Sequence, residues 1–167
     1  MHRSADAVAA IEAQKLTMDD VDGKHLPPPP DPAQVNATIA GIDANGNGIR
    51  DDVELAIFAK YPGQSNLKIR AAELQYAMTE QMFLTMVFDS NTWKAVAEQD
   101  DRAFQCIGLL YPRDDIQSAL NALKTKAKEV ENFEFNNSAR TVKRNAIDSS
   151  FETSFGNSNQ SYCDVHV

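Results

Sequence analysis

The chain has 167 residues, of which 43% are hydrophobic, so it is long enough for one domain with a sizeable core. It carries 24 acidic and 16 basic residues, which gives a formal net charge of −8. That charge argues against nucleic acid and anionic membrane surfaces as partners, because both would repel the chain. No apolar stretch approaches the ~20 residues of a membrane span, so we predict no insertion into a membrane.

The first 31 residues predict a short helix and a spacer. Apolar residues follow helical spacing over residues 5–15, which predicts an N-terminal helix. The acidic stretch from Thr17 to Lys24 predicts a loop. The run of prolines from Pro27 to Pro30 favours polyproline II, and we interpret it as a rigid spacer.

Residues 32–61 predict two short helices on either side of a polar loop. Asp31 followed by Pro32 is a typical helix start, and apolar residues spaced by four and three positions predict a helix over 32–41. Apolar residues that recur every four positions after the loop predict a second helix over 52–61. The order is therefore helix, loop, helix.

The polar loop Asp43–Glu54 reads DANGNGIRDDVE and matches a calcium-binding pattern. That pattern asks for oxygen ligands at positions 1, 3, 5, 7, 9 and 12 and for glycine at position 6, which is Gly48 here. Ca²⁺ is a hard cation, so carboxylate, amide and backbone oxygens suit it. We expect Asp52 to face solvent. The predicted ligands are Asp43, Asn45, Asn47, the backbone carbonyl of Ile49, Asp51 and Glu54.

An ion-free turn is the alternative interpretation of this loop. Asn45-Gly46 and Asn47-Gly48 are dipeptides that also occur in tight hairpin turns. A simple turn has no need for acidic residues at the positions of Asp51 and Glu54, and strand patterns are missing on both sides. We therefore favour a bound cation.

The loop resembles an EF-hand, and also the EF-hand-like loops of bacterial extracellular proteins such as dockerins and thrombospondin type 3 repeats. The run GIDANGNGIRDDVE is also similar to a calcium-loop signature in uncharacterised exported proteins of Gram-negative bacteria. The resemblance implies bound Ca²⁺ and export, and it implies no activity. Position 8 is Arg50, where paired EF-hand loops carry an aliphatic residue, and we find no second loop. We therefore expect a single structural calcium site.

Residues 64–155 predict a helical bundle. The segment after Gly63 is apolar over more than one helical stripe, which predicts a central helix with its methionines in the core. We expect Ser90 or Asn91 to cap the next helix, Pro112 to stop it, and an interruption at Asp100-Asp101.

Two more helices complete the predicted bundle. Asp114 or Asp115 is expected to cap the first of them, and Asn137 to begin the second. Arg140, Lys143 and Arg144 are interpreted as a solvated basic face. Because no strand pattern of useful length is present, we predict an all-α bundle of five to seven helices with one EF-hand-like calcium loop.

The two cysteines, Cys106 and Cys163, could form one disulfide or remain two free thiols. A bridge would close a loop of about 58 residues, worth roughly 4 kcal/mol in the chain-entropy model. It would also pin the polar tail, residues 156–167, to the bundle. Acidic charge, an even cysteine count and a calcium loop favour an oxidising compartment, so we predict a periplasmic or secreted protein. The opening MHRSADAV is typical of a mature sequence whose leader has been removed.

The sequence predicts no enzyme. The histidines are His2, His25 and His166, none of them on a helical core face, and common catalytic motifs are missing. Our first hypothesis is an exported calcium-binding helical protein that acts as a binding or scaffold module for another protein. The alternative is a periplasmic inhibitor or immunity protein that neutralises a secreted toxin or enzyme. A hydrolase using paired carboxylates is the third possibility.

Overall fold

The computed structural model describes residues 2–112, 114–151 and 160–167. Within these ranges the chain forms eight α-helices and one 3₁₀ turn (Gln64–Asn66) with no strand, which confirms the predicted all-α class. The number of helices exceeds the predicted range by one short helix. The helices are α1 (His2–Ala13), α2 (Met18–Asp22), α3 (Pro32–Val35), α4 (Asp51–Lys60), α5 (Leu67–Met86), α6 (Ser90–Gly108), α7 (Ile116–Glu134) and α8 (Ser138–Ser150).

Helix α5 is the centre of the bundle, as its pattern predicts. Every residue from Arg70 to Leu84 is buried, and α1, α2, α4, α6, α7 and α8 all pack against it. Met78 and Met82 lie in the hydrophobic core, and Met86 packs against its edge. Each such fully buried apolar side chain contributes about 1.5–3 kcal/mol to folding.

Polar side chains on α5 form hydrogen bonds with the segments that surround it. A buried polar group must find a partner inside the protein, and Arg70 does so by donating to the carbonyl oxygens of Val21 (2.8 Å) and Tyr61 (2.7 Å). Gln75 donates to the carbonyl of Tyr162 (2.8 Å) in the C-terminal tail. The central helix therefore holds irregular segments through hydrogen bonds as well as helices through apolar packing.

The prediction of a loop from Thr17 to Lys24 is wrong, because Met18–Asp22 forms helix α2. Thr17 caps it in a capping box with Asp20, and Gly23 ends it in the left-handed conformation (φ 78°). Val21 is fully buried among these acidic residues. Only one of its apolar residues is buried, so hydrophobic periodicity gave no signal, and the capping pattern of Thr17, Asp20 and Gly23 was the available indication.

The predicted helix over 32–41 is wrong beyond Val35, where α3 ends. The chain then turns and passes Gly41 with φ 67°. The cause is a distant arginine: Arg140 donates to the carbonyl oxygens that a longer helix would use internally. These carbonyls belong to Val35 (2.6 Å), Thr38 (3.3 Å) and Ile39 (3.0 Å). The second predicted helix, over 52–61, is present as α4.

Helix α6 is continuous where an interruption was predicted, and it ends earlier than predicted. Asp89, one residue before the predicted caps, is the N-cap in a capping box with Thr92. The helix runs through Asp100 without interruption, and the partly buried Asp100 carboxylate accepts a hydrogen bond from the Thr79 hydroxyl (2.8 Å). It ends at Gly108, four positions before Pro112.

The caps of α7 and α8 are confirmed, but the solvated basic face on α8 is wrong. Asp115 and Asn137 each accept a hydrogen bond from a backbone N–H in the first turn of their helix. Arg140 is fully buried. Arg144 lies over the ring of Phe83, 3.9 Å from its centroid, and is paired with a buried glutamate. Helical spacing cannot show that carbonyl and carboxylate acceptors lie on the side of α8 that faces the bundle.

The disulfide between Cys106 and Cys163 is confirmed, with an S–S distance of 2.06 Å. It fixes the C-terminal tail to α6, and Asp164 of the tail adds an ion pair with Arg102 (3.0 Å). The same carboxylate accepts a hydrogen bond from the backbone N–H of Leu16 (3.2 Å). Residues 152–155 of the predicted bundle and 156–159 of the predicted tail lie outside the described residues.

Three of the large apolar side chains that stay exposed belong to the end of α6 and the start of α7, and two of them, Ile116 and Leu120, line one surface pocket. Leu109 is 52% exposed, Ile116 68% and Leu120 42%. Across the described ranges, no helix has both the length and the hydropathy to cross a bilayer.

Candidate metal centre

The loop Asp43–Glu54 is held at its C-terminal end by the hydrophobic core. The side chains of Ile49, Val53 and Ile57 are fully buried. The backbone N–H of Asp51 donates to the carbonyl of Ile42 (2.8 Å), which draws the two ends of the loop together. The carbonyl of Ile49, a predicted ligand, therefore belongs to a residue whose side chain is fixed in the core.

Asp43 and Gly48 set the turn of the loop. The Asp43 carboxylate accepts hydrogen bonds from the backbone N–H groups of Gly46 (2.8 Å) and Gly48 (2.9 Å). Gly48 has φ 86°, and a Cβ atom there would lie 1.7 Å from Nε2 of Gln14. The backbone conformation at position 6 therefore favours glycine, and the missing side chain leaves room for the Gln14 amide, which donates to the carbonyl of Asn47 (3.3 Å).

Glu54 faces the interior of the loop and meets two predicted ligands. Its side chain is 1% exposed. Oε2 accepts a hydrogen bond from the side-chain amide of Asn45 (3.0 Å), and Oε1 accepts one from that of Asn47 (2.9 Å). Asp51 is equally buried and accepts a hydrogen bond from the backbone N–H of Ala44 (2.9 Å). The structure thus brings the side chains of Asn45, Asn47 and Glu54 into contact. The Asp51 side chain instead bonds to the backbone of the loop.

The carboxylates of Asp51 and Glu54 are buried and have no cationic partner among the described residues. Burial is therefore the largest influence on their pKa values. Burial raises the pKa of Glu54 to about 7, although the two amide hydrogen bonds lower it. Burial also raises the pKa of Asp51, and the nearby charges of Asp43 and Asp52 act in the same direction. Among the described residues, no ion pair involves Asp43, Asp51 or Glu54.

A metal at this loop would depend on amide and backbone oxygens as well as on carboxylates. In the part of the chain that the structure describes, no three His, Cys, Asp or Glu side chains are placed to hold a metal by themselves. Asn45 and Asn47 now point their NH₂ groups at Glu54. A 180° rotation of each amide would present a neutral oxygen of the kind Ca²⁺ accepts, but it would break the hydrogen bonds that the two amide oxygens accept from the backbone N–H groups of Asn47 and Ile49.

The helix–loop–helix prediction holds only on one side of the loop. Helix α4 begins at Asp51, inside the loop, as expected for the exiting helix. On the other side, α3 ends at Val35, and the residues from there to Asp43 are turns and bends. The loop is therefore joined to the bundle by an irregular segment where an EF-hand has its first helix.

Arg50 and Asp52 have roles that the sequence did not indicate. The Arg50 guanidinium is fully buried and donates to the carbonyls of Phe133 (2.8 Å) and Glu134 (3.1 Å) at the end of α7. Asp52, expected to face solvent, is instead half-buried and paired with Arg50 (2.5 Å). The one available signal was an arginine at position 8, where an aliphatic residue is usual.

A second set of buried carboxylates lies inside the bundle, away from the loop. Glu80 pairs with Arg144 (3.1 Å), and burial raises the pKa of Glu80 and of Asp100. Glu73 is fully buried with no hydrogen bond to either carboxylate oxygen. In the sequence these carboxylates are charged positions within otherwise apolar stretches of α5 and α6. Helical spacing alone does not identify their partners.

Comparisons with family models, with curated proteins and with solved structures find no match to this chain.

Proposed function

We propose that this protein is an exported, calcium-stabilised module for binding or scaffolding another protein, with one Ca²⁺ held by residues 43–54. The observation that supports this most directly is Glu54. It is a buried carboxylate at the position of a two-oxygen ligand, and its described partners are the amides of Asn45 and Asn47. A bound Ca²⁺ would offset the charge that these amides only partly stabilise.

The role of the ion in this proposal is structural. Asp43, Asp51 and Glu54 carry three formal negative charges on one short loop, and a divalent cation removes most of their repulsion. Ligand present at 100 times its Kd stabilises a folded protein by about 2.7 kcal/mol. For a chain of this size that corresponds to a rise in Tm of about 5–11 °C.

Calorimetric titration and thermal denaturation test the site. The protein, stripped with EDTA, is titrated with Ca²⁺ and then melted with and without millimolar Ca²⁺. We expect binding heat and the rise in Tm stated above. Glu54→Gln keeps the shape of the neutral side chain but removes a charge and one ligand oxygen, so it should fold and lose most of the heat.

Asp6→Ala is the matched control, because Asp6 is an exposed acid on α1. It should bind Ca²⁺ as the parent does. Absence of heat from the parent protein, or equal heat from the parent and Glu54→Gln, would remove the proposed site.

Export and a protein partner are supported by two further features. The Cys106–Cys163 disulfide is a bond that persists in oxidising compartments such as the periplasm. Ile116 and Leu120 are exposed and line one surface pocket between α6 and α7, and such apolar side chains are the kind that protein partners cover. Alkylation of thiols before and after reduction, in protein taken from the periplasmic fraction, tests the first point. Recovery of the protein only from the cytoplasm with both thiols free would contradict export.

A further inference from the structure

Two buried arginines attach the loop Asp43–Glu54 to the junction of α7 and α8. We call residues 133–140 the α7–α8 corner. Arg50 reaches from the loop to the corner, and Arg140 reaches from the corner to the segment that precedes the loop. Both side chains are fully buried, although arginine is rarely so in proteins.

Arg50 caps the C-terminal end of α7. The last four carbonyl groups of a helix have no partner within the helix, and a cation there also interacts favourably with the helix dipole. Arg50 donates to two of these carbonyls, those of Phe133 and Glu134, and pairs with the Glu134 carboxylate at 3.2 Å. Asn136 of the corner donates in turn to Asp52 (3.1 Å), beside the loop ligand Asp51.

Arg140 holds the other end of the loop. Its guanidinium donates to the carbonyls of Val35, Thr38 and Ile39, which lie in the irregular segment before Asp43. It is also fixed within the corner by the side-chain oxygen of Asn136 (2.6 Å). This fork of donors takes the place of the hydrogen bonds that a longer α3 would make.

The two arginines meet at Gly41, two positions before the first predicted ligand. A Cβ atom on Gly41 would lie 2.3 Å from Cδ of Arg50 and 3.1 Å from Nη2 of Arg140. Gly41 also has φ 67°, so a larger residue is excluded by space and by conformation. The start and the end of the loop are therefore fixed against a single region of α7 and α8.

We propose that Arg50 and Arg140 are positioning residues of the cation site, and that Ca²⁺ binding at the loop is coupled to the order of the α7–α8 corner. This inference rests on the proposed calcium site. In a paired EF-hand, the second loop contacts the residue at position 8. Here the α7–α8 corner takes that place, through the hydrogen bonds that Arg50 donates to it. Coupling between sites is reciprocal, so contacts that Ca²⁺ strengthens at the corner must in turn strengthen Ca²⁺ binding.

Arg140→Lys tests the coupling without touching a ligand. Lysine keeps the charge but gathers its three donors at one nitrogen, so it cannot reproduce the spread of contacts that the planar guanidinium makes with the three carbonyls and with Asn136. Couplings of this type are typically about 5–150-fold, and we expect the Kd for Ca²⁺ to rise about tenfold. Arg144→Lys is the matched control: it lies one turn further along α8 and pairs with Glu80 and Asp148 but makes no contact with the loop. It should lower stability and leave the Kd within twofold of the parent.

Hydrogen exchange on the unmodified protein gives a second readout that does not require a variant to fold. Addition of Ca²⁺ should slow exchange in peptides that cover residues 133–142 as well as in the loop, and should leave α6 unchanged. Calcium binding with protection confined to residues 43–54, or an unchanged Kd in Arg140→Lys, would overturn the coupling and leave the site intact. No calcium binding by the parent would overturn the site itself.

Discussion

Glu73 allows a direct test of the free-energy cost of a buried charge in this core. Its side chain has no exposed surface, and neither carboxylate oxygen has a hydrogen-bond partner. Burial raises its pKa from the ordinary 4.5 to about 7; the charge of Glu129 adds to this, while the charges of Lys126 and Lys60 oppose it. The folded protein therefore holds the Glu73 proton more tightly than the unfolded chain does.

The sign of the pH effect follows from that difference. Stability contributed by Glu73 is complete below about pH 4.5, declines as the pH rises, and is lost above about pH 7. At pH 8.5 the ionised side chain costs about 3 kcal/mol, because each tenfold change in proton affinity corresponds to about 1.4 kcal/mol. Glu73→Gln is neutral at every pH and should avoid this cost.

Urea denaturation at pH 5 and pH 8.5 measures the effect. We expect Glu73→Gln to match the parent within about 1 kcal/mol at pH 5 and to exceed its free energy of unfolding by about 3 kcal/mol at pH 8.5. Glu12→Gln, on an exposed position of α1, should change stability by less than about 0.5 kcal/mol at either pH. A parent protein as stable as Glu73→Gln at pH 8.5 would show that nearby cations already compensate the buried charge.

Three further predictions concern the disulfide, the loop and the tail. Replacement of Cys106 and Cys163 by serine should lower the free energy of unfolding by up to about 4 kcal/mol, and reductant should have the same effect on the parent in urea denaturation. Gly48→Ala should lower Tm more than Gly46→Ala, since both have positive φ but only a methyl at position 48 would displace the Gln14 amide from the Asn47 carbonyl; equal Tm values would show that Gln14 moves aside without cost. Asp164→Ala should cost about 3–5 kcal/mol because it leaves a buried arginine unpaired. A loss below about 1 kcal/mol in denaturant titration would show that solvent reaches that pair.

The long helices could be predicted from the sequence because their signals are local. The apolar stripes of α5 and α7 repeat within the helix, and the caps Asp115 and Asn137 lie next to the turn that they satisfy. The sharp turn of the loop was likewise readable, since Gly48 adopts the positive φ that position 6 requires. Calcium binding there remains a prediction.

What the sequence could not reveal depends on contacts between distant residues. The end of α3 is decided by Arg140, about a hundred positions away along the chain. The burial of Arg50, Arg140 and Glu80 was also missed, because helical patterns assign charged residues to the surface. A charged residue is buried where another part of the chain supplies its partner, and spacing alone does not identify that partner.

The position of Asp164 has a consequence for the order in which the protein can reach its native state. This residue joins the segment after α1 to α6 through the N–H of Leu16 and the guanidinium of Arg102. During synthesis, α1 emerges from the ribosome well before residues 160–167 do. Helix α1 can pack directly against α6 before then, but the hydrogen bond at Leu16, the ion pair of Arg102 and the disulfide at Cys163 form only once those residues have been made.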